Sequence, residues 1–299
     1  MSAMRGMDKL RPKNDLLTSW LFLMPALLIV FIAVVIPLGN SVVMSFQKVR
    51  TNVPNFKPVF IGFDNYVQMF QDPLFIRSVG NTILFVLTSV SLELVFGVIL
   101  AMMLSGESNT SRILRSIMLI PMIMAPVAAG TTWRMMFDKT TGVINYMLGL
   151  IGIEGVNWLG TPAMAFVSVV FVDVWRMTPW FAILLISGIK SISGESIEAS
   201  LVDGATKWKC FIHIVLPQLK RVLVLVLMLR TIDAFKVFDI VYVMTGGGPG
   251  MATEMLPNYI YAQGLRYFNA GYAASLAIVF ILAMSALSLV FIRLQEKQF

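Results

Sequence analysis

One cysteine and one histidine occur in the whole of the 299-residue chain. A lone Cys210 excludes an internal disulfide and any centre built from several thiolates. A lone His213 cannot assemble a structural zinc site, and it reads as a packing or interface residue. Charge is scarce as well: Asp, Glu, Lys and Arg make up 13% of the residues, against about 25% in ordinary soluble domains. No Gly-x-x-x-x-Gly-Lys-Ser/Thr is present, so the chain cannot hydrolyse ATP by itself. The run Gly246–Gly250 (GGGPG) lacks the Lys-Ser/Thr that would make it a phosphate loop, and reads as a turn. His-Glu-x-x-His and Gly-x-Ser-x-Gly are also missing, and with them the metallohydrolase and serine-hydrolase classes.

Apolar sequence is what the chain has in quantity, at 58%. A run of 18 or more apolar residues with few charges crosses a bilayer core of roughly 30 Å as a helix. Six stretches predict an all-α polytopic membrane protein, with spans at 16–46, 81–105, 116–137, 163–189, 222–244 and 272–292. Pro25 and Pro37 are expected to kink the first. The apolar core of that first span is too long for a cleaved signal peptide, so residues 1–15 read as a cytoplasmic tail before an uncleaved anchor.

The formal charge of +7 is not one basic face that would suit nucleic acid. Thirteen cations fall at one set of span ends: Arg5, Lys9, Arg11, Lys13, Arg112, Arg115, Lys190, Lys207, Lys209, Lys220, Arg221, Arg293 and Lys297. Six fall at the other: Lys48, Arg50, Lys57, Arg77, Lys139 and Arg266. Positive charge is retained inside, which predicts both termini, and the connection 190–221 between spans four and five, in the cytoplasm. The twenty-one methionines are spread along the chain and read as adaptable helix packing.

That connection carries the stretch EASLVDGATKWKCFIHIVLP, from Glu198 to Pro217. Leu201, Ala205, Trp208 and Ile212 recur at helical spacing as an apolar stripe, with Glu198, Asp203, Lys207 and Lys209 mostly off it. Gly204 near the middle costs about 1 kcal/mol in a helix relative to Ala, which predicts a bend between two short helices or close approach of a partner. By physics alone such a segment suits either the headgroup region of a membrane or a groove on another protein.

Charges inside the spans are costly, about 2.5–3.5 kcal/mol each at the centre, and mark functional sites by default. Arg230, Asp233, Lys236 and Asp239 recur every three residues in span five, a spacing at which opposite charges are helix neighbours. Arg230 reads as a packing residue nearer the cytoplasmic end. Phe235, Phe238 and Tyr242 share a broad face with Asp239; aromatic faces stack on pyranose rings and carboxylates accept hydroxyl hydrogen bonds. Span four adds Asp173, Trp175 and Arg176, with Asp173–Arg176 again at i, i+3, and Trp180 beside Thr178-Pro179. Glu93 in span two has no local partner, which makes Lys236 a candidate.

Glu198-Ala199-Ser200, Asp203-Gly204-Ala205 and Ile214-Val215-Leu216-Pro217 together resemble the EAA loop of ABC importer permeases, with Ser200 in place of the usual second alanine. FIGFDNYVQMFQDPLF with Asn81-Thr82, then FKVFDIVYVMTGGGPGMATE from Phe235 to Glu254, and NAGYAAS from Asn269, resemble the carbohydrate-uptake branch of that family, typified by the larger maltose-transporter permease without its extra N-terminal spans. The resemblance implies a permease subunit in a bacterial inner membrane. It works beside a second permease, two ATP-binding subunits that hold the ATP and Mg²⁺, and an extracytoplasmic binding protein that delivers a sugar-like solute. It also implies that Glu198, Ala199, Asp203, Gly204, Ala205 and Trp208 couple to the ATPase. A secondary transporter carrying ions on Glu93, Asp173 or Asp239 is the alternative, disfavoured because no internal repeat is evident.

Overall fold

The structure is a computed structural model, described over residues 13–192 and 194–296. The tail as far as Arg11 and the terminal Lys297 lie outside the described residues. The first span is α1 (Lys13–Val30), a π-helical turn (Phe31–Val35) and α2 (Ile36–Ser45). Pro25 sits within continuous helix, whereas Pro37 directly follows the widened turn. A proline lacks the N–H and clashes with the carbonyl four residues back, and an i→i+5 turn relieves both conflicts. The same device recurs at Phe211–Val215, just before Pro217.

A two-stranded antiparallel ribbon, β1 (Gln47–Lys48) and β2 (Val59–Phe60), leads into α3 (Asp64–Gln71). The second span, α4 (Pro73–Leu104), starts earlier than its apolar run because Asp72 caps it and Pro73 takes the first helical position. The third span is not the single rod expected over 116–137. It comprises α5 (Asn109–Met118), α6 (Ile120–Ile123) and α7 (Pro126–Met136), bent by 93° at the break. Met124 and Ala125 are extended there, since a residue preceding proline is pushed out of the helical region.

After α8 (Val143–Leu150), the fourth span is α9 (Pro162–Lys190), close to its expected bounds. Two short helices follow, α10 (Gly194–Val202) and α11 (Lys207–Cys210). The fifth span is α12 (Leu216–Phe235), a break at Lys236–Phe238 and α13 (Asp239–Met244), where a continuous helix was expected. α14 (Leu256–Tyr261) and a third π-helical turn (Ala262–Arg266) precede the last span, α15 (Ala270–Glu296). Among the described residues, five helices are long and apolar enough to cross a membrane, six if the bent pair is one span.

α4 and α9 form the centre. A β-carbon at Gly97 would stand 3.0 Å from the Phe181 side chain, so the glycine sets how closely the two helices approach. Phe85, Val86 and Val90 of α4 meet Val169 and Val172 of α9, and Ala234, Ile240 and Val241 close the cluster from the fifth span. The first span, by contrast, exposes Phe22 and Leu21 by 80% and 73%, a surface too apolar to face water. Asn81 Nδ2 donates to the Met251 and Glu254 carbonyls at 2.8 and 3.2 Å, and the Leu256 N–H donates to Thr82 Oγ1 at 2.8 Å. Three bonds thus tie the glycine-rich loop onto α4.

Candidate transport path and docking segment

The break in span five opens a cavity of about 540 Å³ between α9, the end of α12 and the start of α13. α12 ends in two i→i+3 bonds, from the Lys236 N–H to the Asp233 carbonyl at 3.0 Å and from Val237 to Ala234 at 3.1 Å. Such a tightened last turn leaves the next residues free of helical register. Asp173, Arg176, Trp180, Lys236, Phe238 and Asp239 line the space, closed at one side by Pro126 from the bend of span three.

The wall itself contains an ion cluster, with Arg230 and Asp233 lining the cavity beside Asp173. Arg230 is 1% exposed, Glu93 0% and Asp173 2%. Arg230 Nε donates to Glu93 Oε2 at 2.6 Å and Nη2 to Glu93 Oε1 at 2.8 Å, a bidentate fork that suits guanidinium and carboxylate geometry. Nη2 also donates to Asp173, and Nη1 to Asp233 Oδ2 at 3.1 Å. One side chain of α12 thereby links α4 and α9. This is the packing role expected of Arg230, with the guanidinium buried among three helices.

Three expected pairings do not form. Glu93 takes Arg230 in place of Lys236, and Asp173 takes Arg230 in place of Arg176. Lys236 and Asp239 flank the break, so their three-residue spacing no longer makes them helix neighbours. Among the described residues, Arg176, Lys236 and Asp239 enter no ion pair, and Arg176 Nε is buried without a hydrogen-bond partner. Of the expected path residues, the cavity gathers Asp173, Arg176, Lys236, Phe238 and Asp239. Trp175 lies elsewhere, edge-on to Trp133 at 5.2 Å and facing an apolar groove with Phe96 and Pro121. Phe235 packs on the central core. Tyr242 stands beyond the cavity, stacked on Phe238 at 5.3 Å. Trp180, at i+7 from Asp173 and i+4 from Arg176, shares their face of α9 and completes that wall.

Beyond the C-terminal end of α9, α10 ends in a Schellman turn: the Ala205 N–H donates to the Ser200 carbonyl at 2.9 Å, with Gly204 at φ +83°. A β-carbon on Gly204 would meet nothing within 4 Å, so the glycine serves the left-handed backbone and the bend. Reversal at Gly204 divides the expected stripe; the side chains of Leu201 and Lys207 lie outside the described residues. Cys210, Phe211, Val215 and Leu219 are buried against Val98, Met102 and Ile189 at the ends of α4 and α9. Trp208 stacks on Phe211 at 6.0 Å and stays 61% exposed, and Val202 is 87% exposed. Glu198, Ala199 and Asp203 are exposed, and Ala205 is half-buried. The segment is anchored by one face and presents the other.

A broken-helix cavity at a buried ion cluster, with an anchored helix pair at one end, defines a polytopic membrane transport subunit. The chain belongs to the family described as the binding-protein-dependent transport system inner membrane component, whose model matches residues 93–298. The trehalose/maltose transport system permease protein MalF of Thermococcus litoralis is 37% identical over 281 residues, 94% of this chain and 93% of that one. The sulfoquinovosyl glycerol transport system permease protein SmoG of Agrobacterium fabrum is 34% identical over 281 residues, 94% and 91% of the two chains. A chain in the crystal structure of a bacterial ABC transporter involved in the import of the acidic polysaccharide alginate shares the fold, with a TM-score of 0.83 at 23% identity over 95% of this chain and 98% of that one.

Proposed function

We propose that this chain is one of two permease subunits of an ATP-driven ABC importer, and that it passes a sugar or sugar-like solute delivered by an extracytoplasmic binding protein. The carrying observation is the family match, which spans both the cavity and the segment 198–217. The relatives named for trehalose/maltose and for sulfoquinovosyl glycerol transport support a glycan-type solute. Membership of a binding-protein-dependent family leaves the ion-coupled alternative without support.

In this reading both termini lie in the cytoplasm, in keeping with the distribution of cations. Residues 16–299 form the membrane domain, 1–15 a cytoplasmic tail and 190–221 the coupling loop of a bacterial inner-membrane protein. Glu198, Ala199, Asp203, Gly204, Ala205 and Trp208 seat in a groove of an ATP-binding subunit, the exposed Trp208 as the buried anchor and Glu198 and Asp203 at the rim. ATP and Mg²⁺ reside on two such subunits, because this chain has no phosphate loop. Asp173, Arg176, Lys236, Phe238 and Asp239 meet the solute, with Tyr242 above them.

Two variants test the coupling role. Gly204→Ala forces an L side chain into a left-handed turn, a cost of about 1–2 kcal/mol, and Glu198→Lys reverses a rim charge. Each is expected to insert normally and to lose solute-stimulated ATP hydrolysis in the assembled importer. Full stimulation in both, in complexes of wild-type composition, would remove the segment from the coupling path.

A further inference from the structure

Tyr261 and Arg266 are five residues apart, a spacing that in an α-helix turns the second side chain about 140° away from the first. The residues between them form a π-helical turn, closed by the Tyr267 N–H donating to the Ala262 carbonyl at 2.8 Å. An i→i+5 turn returns both side chains to one face, and single π turns of this kind concentrate at functional sites. Arg266 accordingly lies over the Tyr242 ring at 5.2 Å and the Tyr261 ring at 5.8 Å. Phe238, Tyr242 and Tyr261 touch one another with centroids 5.1 to 5.3 Å apart. Core packing does not account for the group: Arg266 is exposed, Tyr242 is 36% exposed, and among the described residues no carboxylate reaches contact distance of Arg266, Glu254 acting on it only from further away. Phe238 belongs to this cluster and to the cavity wall alike, so the two are continuous.

We propose that Tyr242, Tyr261 and Arg266 form a second saccharide subsite outside the cavity, which holds one ring of a glycan while the next ring lies in the cavity. The proposal rests on the sugar-importer reading. The aromatic faces take the C–H face of a pyranose, and the guanidinium and phenol hydroxyls donate to its hydroxyl groups. Stacking on the rings holds the guanidinium in place before the sugar arrives, which lowers the ordering cost of binding.

The test uses the assembled importer in nanodiscs and saturation-transfer NMR with a panel of mono- and disaccharides of glucose, galactose and N-acetylglucosamine. Wild type is expected to bind the disaccharide of its preferred sugar more tightly than the monosaccharide. Tyr261→Ala should cut that advantage roughly tenfold, the size of one stacking contact, with monosaccharide affinity unchanged. Arg266→Gln should cut it less, and Tyr261→Phe, which keeps the ring and the packing, least. An unchanged advantage in Tyr261→Ala and Arg266→Gln overturns the subsite, as does an equal loss for both sugar lengths, which would make the cluster a packing element. A wild-type complex that binds no sugar of the panel overturns the sugar reading itself and the subsite with it.

Discussion

Span five contains the same motif twice, a cation followed three residues later by an aspartate, and the two copies have opposite fates. Arg230 and Asp233 lie on one continuous helix, where Arg230 is buried and also engaged by Glu93 and Asp173 from two other helices. Lys236 and Asp239 stand on either side of a break and face an open cavity, each without an ion-pair partner among the described residues. Charge spacing alone therefore does not decide whether a membrane charge is structural. Helix continuity decides whether neighbours in sequence are neighbours in space, and carboxylates on other helices decide whether burial is tolerated. In this protein the tied charges build the wall and the free ones face the space it encloses.

Breaking the tied copy has the largest expected effect. Arg230→Met leaves Glu93 and Asp173 buried without their cation, a cost of about 3–5 kcal/mol. Membrane yield and the melting temperature of the complex should both collapse. A normally assembled Arg230→Met complex would show that the cluster is dispensable.

The free copy should behave in the opposite way. Asp239→Asn keeps the volume and one acceptor and loses a charged hydrogen bond, worth about 1.5–3 kcal/mol against about 0.5–1.5 for a neutral one. The resulting difference of about 1–2 kcal/mol is roughly tenfold in uptake at limiting solute, with assembly unchanged. Lys236→Met is expected to leave assembly intact as well. Should Asp239→Asn lower the yield and the added Lys236→Met restore it, the two would be a structural pair after all.

The smallest effect sharpens the contrast with a third kind of carboxylate, one held by neutral donors. Asp72 accepts from the Tyr259 hydroxyl, from the Tyr272 hydroxyl at 2.8 Å and from the Leu74 N–H at 2.9 Å. Partial burial pushes its pKa up, but these hydrogen bonds outweigh burial and hold it below the ordinary 3.8. A folded-state pKa below the unfolded one stabilises fully above the unfolded value, and the gain is lost as pH falls through the folded one. The melting difference between wild type and Asp72→Asn should be small and constant from about pH 8 to 5, then shrink below about pH 4. A difference that grows on acidification would contradict this assignment.

Much of the fold was legible because lipid enforces it: apolar length marks spans and proline marks some of their weak points. Pro37 follows a π turn and Pro126 opens the bend, whereas Pro25 and Pro179 sit in unbroken helix, so only some of the prolines mark a break. The break at Lys236–Phe238 has no such marker, and the regular charge spacing across it pointed towards a continuous helix. The Arg230 partners were hidden for a related reason, since Glu93 is 137 residues away and pairing across helices leaves no period in the sequence. Gly204 was readable as a bend because few residues other than glycine accept its positive φ. Arg266 was read only as an extracytoplasmic cation, because its contact with Tyr261 depends on a π turn that helical periodicity does not show.

The most direct measurement of the central claim is solute uptake into proteoliposomes in three preparations. The first holds this chain alone, the second the assembled importer with its binding protein but without ATP, and the third the same complex with ATP enclosed on the side of the ATP-binding subunits. Uptake in the third alone is the predicted result. Uptake by this chain alone, driven by an ion gradient, would contradict it.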